Sequence, residues 1–272
     1  MRFHKGYTRS IMQSRTYLRR PALLKCMVPR LIVMCLSFGI FAHGNSVTFV
    51  TPPGSTVSPS GPAESVSASA FFTTGANSVT IDLTNLLSAA EMQDAGQLLS
   101  DLYFSLSTAA TGTAGVTSSN GTFIDVQDGG SVVSATATAQ TGNAADKIGW
   151  YFSSSSGTNT WHLNGLNGGS SDNPGQLIIG GTTANTSYPD ANSSLSGNTP
   201  HNPFVQGTGD FVLYIPGVTS LTNVTAATFS FSTTPGFDVT GQLQPTPEPR
   251  FYTLLLSAGL LIGLIWRRRL TE

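Results

Sequence analysis

Phe211-Val212-Leu213-Tyr214-Ile215-Pro216-Gly217, followed after a short interval by Ala227-Thr228-Phe229-Ser230-Phe231-Ser232, decides the fold class of this chain. In both stretches the apolar side chains fall on every second position. A period of two belongs to a strand with one face in a core and the other toward water. Pro216-Gly217 is a turn signal, so the two runs predict an antiparallel pair. The same alternation recurs upstream at Val79, Ile81 and Leu83, at Leu102, Phe104 and Leu106, and at Val133, Ala135, Ala137 and Ala139. Ile148, Trp150 and Phe152 repeat it, as do Trp161 and Leu163. The predicted core is therefore Leu102, Phe104, Trp150, Phe211, Leu213, Phe229 and Phe231.

One segment breaks the pattern. Ser88-Ala89-Ala90-Glu91 has the form of a capping box and predicts a helix of one or two turns, stopped near Gly96 before the strand at Leu102. Residues 164–202 are so rich in Gly, Ser and Asn that they read as long loops around a strand at 176–179. Many short strands separated by turn residues, with little helix to make parallel crossovers, predict an all-β fold. The expected form is an antiparallel β-sandwich of jelly-roll type.

Charge divides the chain into three. Eight of the thirteen Lys and Arg lie before residue 31, and four (Arg250, Arg267, Arg268 and Arg269) surround an apolar run near the end. Between residues 45 and 249 only Lys147 faces thirteen Asp and Glu, a local charge of about −12 that repels nucleic acid. The first end has the order of a secretory signal: a basic region, the apolar run 31–41 (LIVMCLSFGIF), then the small-residue pattern Ala42-His43-Gly44. Its apolar run is too short for the roughly 30 Å hydrocarbon layer, which predicts cleavage and a mature start near Asn45. Met12 offers a second start within the leader. Both cysteines, Cys26 and Cys35, lie in this leader, so the mature chain has no disulfide to draw on. Met34 stands where a lipidation signal at Cys35 would need a small residue, which argues against lipidation there.

At the other end Pro247-Glu248-Pro249 precedes the apolar stretch 251–266 (FYTLLLSAGLLIGLIW), which Arg267, Arg268 and Arg269 close. As a helix the stretch is about 24 Å long, workable for a span when flanking arginines snorkel. The arginines then stay cytoplasmic and the acidic region lies outside. In this order of motif, short helix and basic terminus, the last 25 or so residues resemble the PEP-CTERM sorting signal of bacterial surface proteins. The resemblance implies recognition by an exosortase, a membrane-embedded processing enzyme, at or near Pro247-Glu248-Pro249. It also implies surface display or release beside an exopolysaccharide layer. The expected organisation is a signal peptide at 1–44, an extended arm at 45–63 and a β-sandwich ectodomain at 64–240. A linker with the motif follows at 241–249, then a single transmembrane sorting helix with its basic tail at 250–272.

Catalytic candidates are few. The mature chain has His162 and His201 and no cysteine, and it carries none of the nucleophile, zinc-hydrolase or phosphate-loop motifs. His162 reads as a solvent-facing strand residue and His201, in Thr199-Pro200-His201-Asn202-Pro203, as a residue that fixes a loop. No catalytic residue, metal or cofactor is assigned. Asp125-Val126-Gln127-Asp128-Gly129-Gly130 and Asp172-Asn173 supply the oxygen ligands calcium takes, but in no established loop spacing, and read first as turns. Tyr151, Tyr188 and Tyr214 are candidates to stack on sugars. Three classes stay open: a structural or adhesive surface protein, which asks least of the chain; a carbohydrate-binding module, which needs an aromatic-lined face; and a glycoside hydrolase, which needs a convergent acid pair.

Overall fold

The structure is a computed structural model, and it describes residues 45–59, 61–136, 144–154, 159–166, 175–199 and 201–244. The leader 1–44, the motif Pro247-Glu248-Pro249 and the apolar tail with Arg267, Arg268 and Arg269 lie outside the described residues. The protein is all-β, as its alternation requires. In chain order the strands are β1 (Ser46–Val50), β2 (Thr56–Val57), β3 (Glu64–Ser65), β4 (Ala68–Gly75), β5 (Ser78–Asn85), β6 (Leu99–Leu106), β7 (Gly115–Val126) and β8 (Val132–Ser134). They continue with β9 (Tyr151–Ser154), β10 (Thr160–Asn164), β11 (Ile178–Ile179), β12 (Phe204–Tyr214), β13 (Val224–Phe231), β14 (Asp238–Thr240) and β15 (Gln242–Gln244).

Thirteen of these form one branched sheet in the order β14-β13-β6-β11-β12-β5-β4-β1-β15. Beyond β6 the sheet adds β10 and β9, and beyond β12 it adds β7 and β8. Strands β2 and β3 form a separate hairpin. The branching arises because β6 and β12 share one neighbour, the two-residue β11, at Ile178 and Ile179. The β11–β12 pair is parallel, so the sheet is mixed and not wholly antiparallel as expected. A parallel pair needs a long crossover, and residues 180–203 provide one through a single-turn helix, α1 (Ser193–Ser196).

The two ends of the path meet. Strand β14 pairs with β13 at one end, β15 pairs with β1 at the other, and only Gly241 separates β14 from β15. The Gly241 N–H donates to Ala227 O at 2.8 Å. A strand that changes partner at a corner in this way folds the sheet back over its own apolar face. Phe72 of β4 thus meets Phe104 of β6 at 5.4 Å between ring centres, although three strands intervene in the order. The predicted core residues Leu102, Phe104, Trp150, Phe211, Leu213, Phe229 and Phe231 are all buried, each at 2 % exposure or less. Burying each such side chain is worth about 1.5–3 kcal/mol. A second cluster, including Met92, Leu98, Leu177, Tyr188, Leu195 and Phe204, lies under the crossover.

Four expectations are corrected. The runs at Phe211 and Phe229 do not pair with each other: β12 lies between β7 and β5, and β13 between β6 and β14. Within the expected arm at 45–63 and linker at 241–249, Ser46–Val50 and Gln242–Gln244 are strands, β1 and β15, which join the sheet edge to edge with Phe49 opposite Leu243. Ser88 does donate to Glu91, from N at 2.8 Å and from Oγ at 2.7 Å, but the box closes a turn and no helix follows. The helical element here is a 3-10 turn, Ala95–Gln97, capped by Asp94 and containing Gly96. Finally, Val133 points outward, 54 % exposed.

Candidate functional site

Among the described residues, no helix is long and apolar enough to cross a membrane. The sorting residues and the basic stop lie beyond the last described position, Gln244.

On β6 and β10, register places Asp101 opposite Asn164 and Tyr103 opposite His162. His162 is not solvent-facing as expected. Its ring stacks on Tyr103 at 3.9 Å and 12°, and its Nε2 lies 3.8 Å from Asp101 Oδ1 with no hydrogen-bond partner. That gap exceeds a hydrogen bond. Asp101, 3 % exposed, instead accepts from Gly165 N at 2.9 Å. Burial, with Asp101 and then Asp238 nearby, pushes the Tyr103 hydroxyl up from its ordinary value. His201 is buried and its Nδ1 meets Gly175 O at 3.0 Å; the carbonyl can only accept, so Nδ1 carries the hydrogen. Burial holds His201 below its ordinary value, against the opposing pull of that carbonyl and of Asp101. A neutral imidazole tied to a loop carbonyl fixes the loop, which is the role read for it.

The candidate calcium segment turns through Asp128, Gly129 and Gly130. Asp128 Oδ1 accepts from Ser196 Oγ at 2.7 Å, and a depression there is lined by Asp125, Asp128, Ser196, Thr199 and Asn202. Among the described residues no three His, Cys, Asp or Glu come together as a metal set. Asp172-Asn173 lie outside the described residues.

The three tyrosines separate. Tyr188 is wholly buried, its hydroxyl donating to Gly180 O at 2.7 Å, and burial pushes it up to about 12 despite a contact from Gln206. It cannot stack on a ligand. Tyr151 and Tyr214 are exposed. Tyr214 shares the outward face of β12 with Thr208 and Asp210; the last two, and not Tyr214, line a depression of about 480 Å³. That depression forms where Gly207 and Thr208 bulge out of the β12–β7 ladder, between the pairs Gln206–Thr122 and Gly209–Gly121. Thr84, Asn120, Thr182, Gln206 and Asp210 supply hydroxyl, amide and carboxylate groups around it.

One arrangement was missed by sequence reasoning. Glu64 of β3 and Asp94, the cap of the 3-10 turn, come together across thirty positions of sequence and line a depression with Glu91 and Gln97. Asp94-Ala95-Gly96-Gln97 is itself a capping-box pattern, so the turn was legible; its meeting with Glu64 was not. No family model matches this chain, and no curated protein and no solved structure matches it either.

Proposed function

We propose that this chain is an exported bacterial surface protein, structural or adhesive and not catalytic, carried out behind a cleaved leader and sorted through its tail. One observation carries the reading: the folded unit fills the interval between the two signals. Asn45, next after Ala42-His43-Gly44, is already bound into the fold, its N–H donating to Ser220 O at 3.1 Å and its carbonyl accepting from Thr74 N at 3.1 Å. Among the described residues Gln244, paired with Thr48, is the last strand residue, three positions before Pro247-Glu248-Pro249. In this reading the fold is a β-sandwich of jelly-roll type, with β14-β13-β6-β10-β9 as one leaf and β15-β1-β4-β5-β12-β7-β8 as the other.

The tail helix holds the precursor in the membrane with Arg267, Arg268 and Arg269 on the cytoplasmic side. An exosortase-type enzyme reads Glu248 between Pro247 and Pro249; a proline fixes its own φ and disfavours the helical region for the residue before it. The test is Glu248→Ala in the native host, following the size and location of the ectodomain. The expected result is an inserted but unprocessed precursor, whereas deleting the arginine triplet disturbs membrane orientation and retention. A Glu248→Ala protein processed and displayed like the parent would leave an ordinary anchor. A second reading, binding of the exopolysaccharide, is favoured by the hydroxyl- and amide-lined depression at the β12 bulge with Tyr214 on the same face. Loss of co-sedimentation with purified exopolysaccharide in Asp210→Ala is its expected signature.

A further inference from the structure

Among the described strands, β2 and β3 are the pair that stands outside the main sheet. It nevertheless closes one end of the core, because Val57 and Val66 are buried in it. Polar bonds hold the hairpin down beside that apolar contact. Gln97, 3 % exposed, donates from Nε2 to Ser65 O at 3.0 Å and to Glu91 O at 2.9 Å, while its Oε1 accepts from Gln93 N at 2.6 Å and Asp94 N at 3.3 Å. These bonds fix the 3-10 turn against β3 and so set Asp94 beside Glu64. Gly96 lies between the two carboxyls: a Cβ there would stand 2.2 Å from Glu64 Oε2 and 2.8 Å from Asp94 Oδ1. Asp94 Oδ1 accepts from Gly96 N at 2.6 Å. Glu64 Oε2 is buried and no donor reaches it.

A buried carboxylate oxygen with no donor is costly, and a second carboxylate beside it is more so. Both costs vanish if Glu64 carries a proton, since Oε2 then becomes a donor and Asp94 an acceptor. We propose that Glu64 and Asp94 share one proton and that this proton latches the β2–β3 hairpin onto the 3-10 turn, releasing it as the surroundings become alkaline. Glu64 faces Asp94 and, at the rim, Glu91; among the described residues no Lys, Arg or His lines the depression. Ser88 holds Glu91 below its ordinary value through its N–H and then its hydroxyl, so Glu91 is a charged acceptor at the rim and offers Glu64 no proton. Burial, with the Asp94 hydrogen bond and charge, pushes Glu64 up to about 7. The sign follows from linkage. A carboxyl raised in the folded state stabilises fully at acid pH, below its unfolded value of 4.5, and that stability is lost as pH rises through about 7.

The test is hydrogen exchange on the full chain in detergent, read on peptides covering residues 52–68 between pH 4.5 and 8.5 and corrected for intrinsic rates. Hairpin protection is expected to fall by about tenfold across that range, discounted from full linkage because Glu64 is partly exposed, while β12 stays level. Glu64→Gln, whose amide donates to Asp94 at every pH, is expected to flatten the profile at the high value. A flat parent profile, or an unchanged slope in Glu64→Gln, overturns the latch. So does calcium that restores protection in the parent at pH 8.5, because the pair then serves a cation. Carbon-13 carboxyl titration of the parent gives a check independent of any variant: a Glu64 midpoint in the ordinary carboxylate range also overturns it.

Discussion

Strands β12 and β13 look alike in sequence and live differently in the sheet. Each buries a pair of large apolar side chains on alternate positions, Phe211 and Leu213 on β12 and Phe229 and Phe231 on β13. Strand β12 has β7 along one edge, and along the other it has β11 and then β5, so both edges are occupied. Strand β13 has β6 on one side and only the three residues of β14 on the other, next to the corner at Gly241. Alternation therefore states which side chains go inside and is silent about the neighbour. The partner depends on how the intervening chain travels, and residues 216–223 carry it from β12 to the opposite wall of the core instead of back along the same ladder.

The hardest test of this contrast is truncation of one phenylalanine on each strand. If burial alone sets the cost, Phe211→Ala and Phe229→Ala both lose about 3–5 kcal/mol of unfolding free energy, since both side chains are fully buried. Phe211 packs on Trp150 at 5.2 Å between ring centres, and Phe229 lies close under Gly241. Chemical denaturation measures both. A cost for Phe229→Ala far below that for Phe211→Ala would mean that the corner relaxes into the cavity, and that neighbours matter as much as burial.

A smaller effect is expected at the corner itself. A Cβ on Gly241 would meet Phe229 Cε2 at 2.9 Å, Ala227 O at 3.0 Å and Phe49 Cβ at 3.4 Å. Gly241→Val should cost about 1–3 kcal/mol by overpacking. Its signature should be local: hydrogen-exchange protection falls in β1, β14 and β15 and is unchanged in β12. Equal loss throughout would show that the closing contact governs the whole sheet.

Much of this was legible beforehand, for a physical reason. The predicted faces at Val79, Leu102, Ile148, Trp161, Phe211 and Phe229 are the buried ones because strands with one dry side need strict alternation. Where the dry side is thin, the signal fails. Val133 belongs to a three-residue edge strand and points outward. Gln242-Leu243-Gln244 enters the sheet through backbone pairing with β1, which composition does not record. The 3-10 turn shows that a capping box does not by itself make an α-helix: both Ser88-Glu91 and Asp94-Gln97 form capping contacts, but the first closes only a turn and the second only the three-residue 3-10 turn Ala95–Gln97. The Glu64–Asp94 pair depended on tertiary placement and had no local trace.

The finest distinction between the two strands is electrostatic. On the outward face of β12, Asp210 stands directly opposite Asp82 on one side and Asn120 on the other. Burial, and then the Asp82 charge, raise Asp210 above the usual value of 3.8. A raised carboxyl is stabilising only while protonated, so its contribution is fully present in acid and is lost as pH rises through the folded value. At neutral pH the like-charged pair is a standing penalty, held small by exposure to water. Asp210→Asn should therefore raise stability by a few tenths of a kcal/mol at neutral pH and leave it unchanged in acid, where the parent is already uncharged. Thermal unfolding of parent and variant at the two pH values measures the difference. If the variant is instead less stable at neutral pH, the carboxylate is holding something in place. Its polar neighbour across the ladder is Asn120, whose Oδ1 accepts from Lys147 Nζ at 3.2 Å, and β12 would then owe its central place partly to its polar face as well as to Phe211.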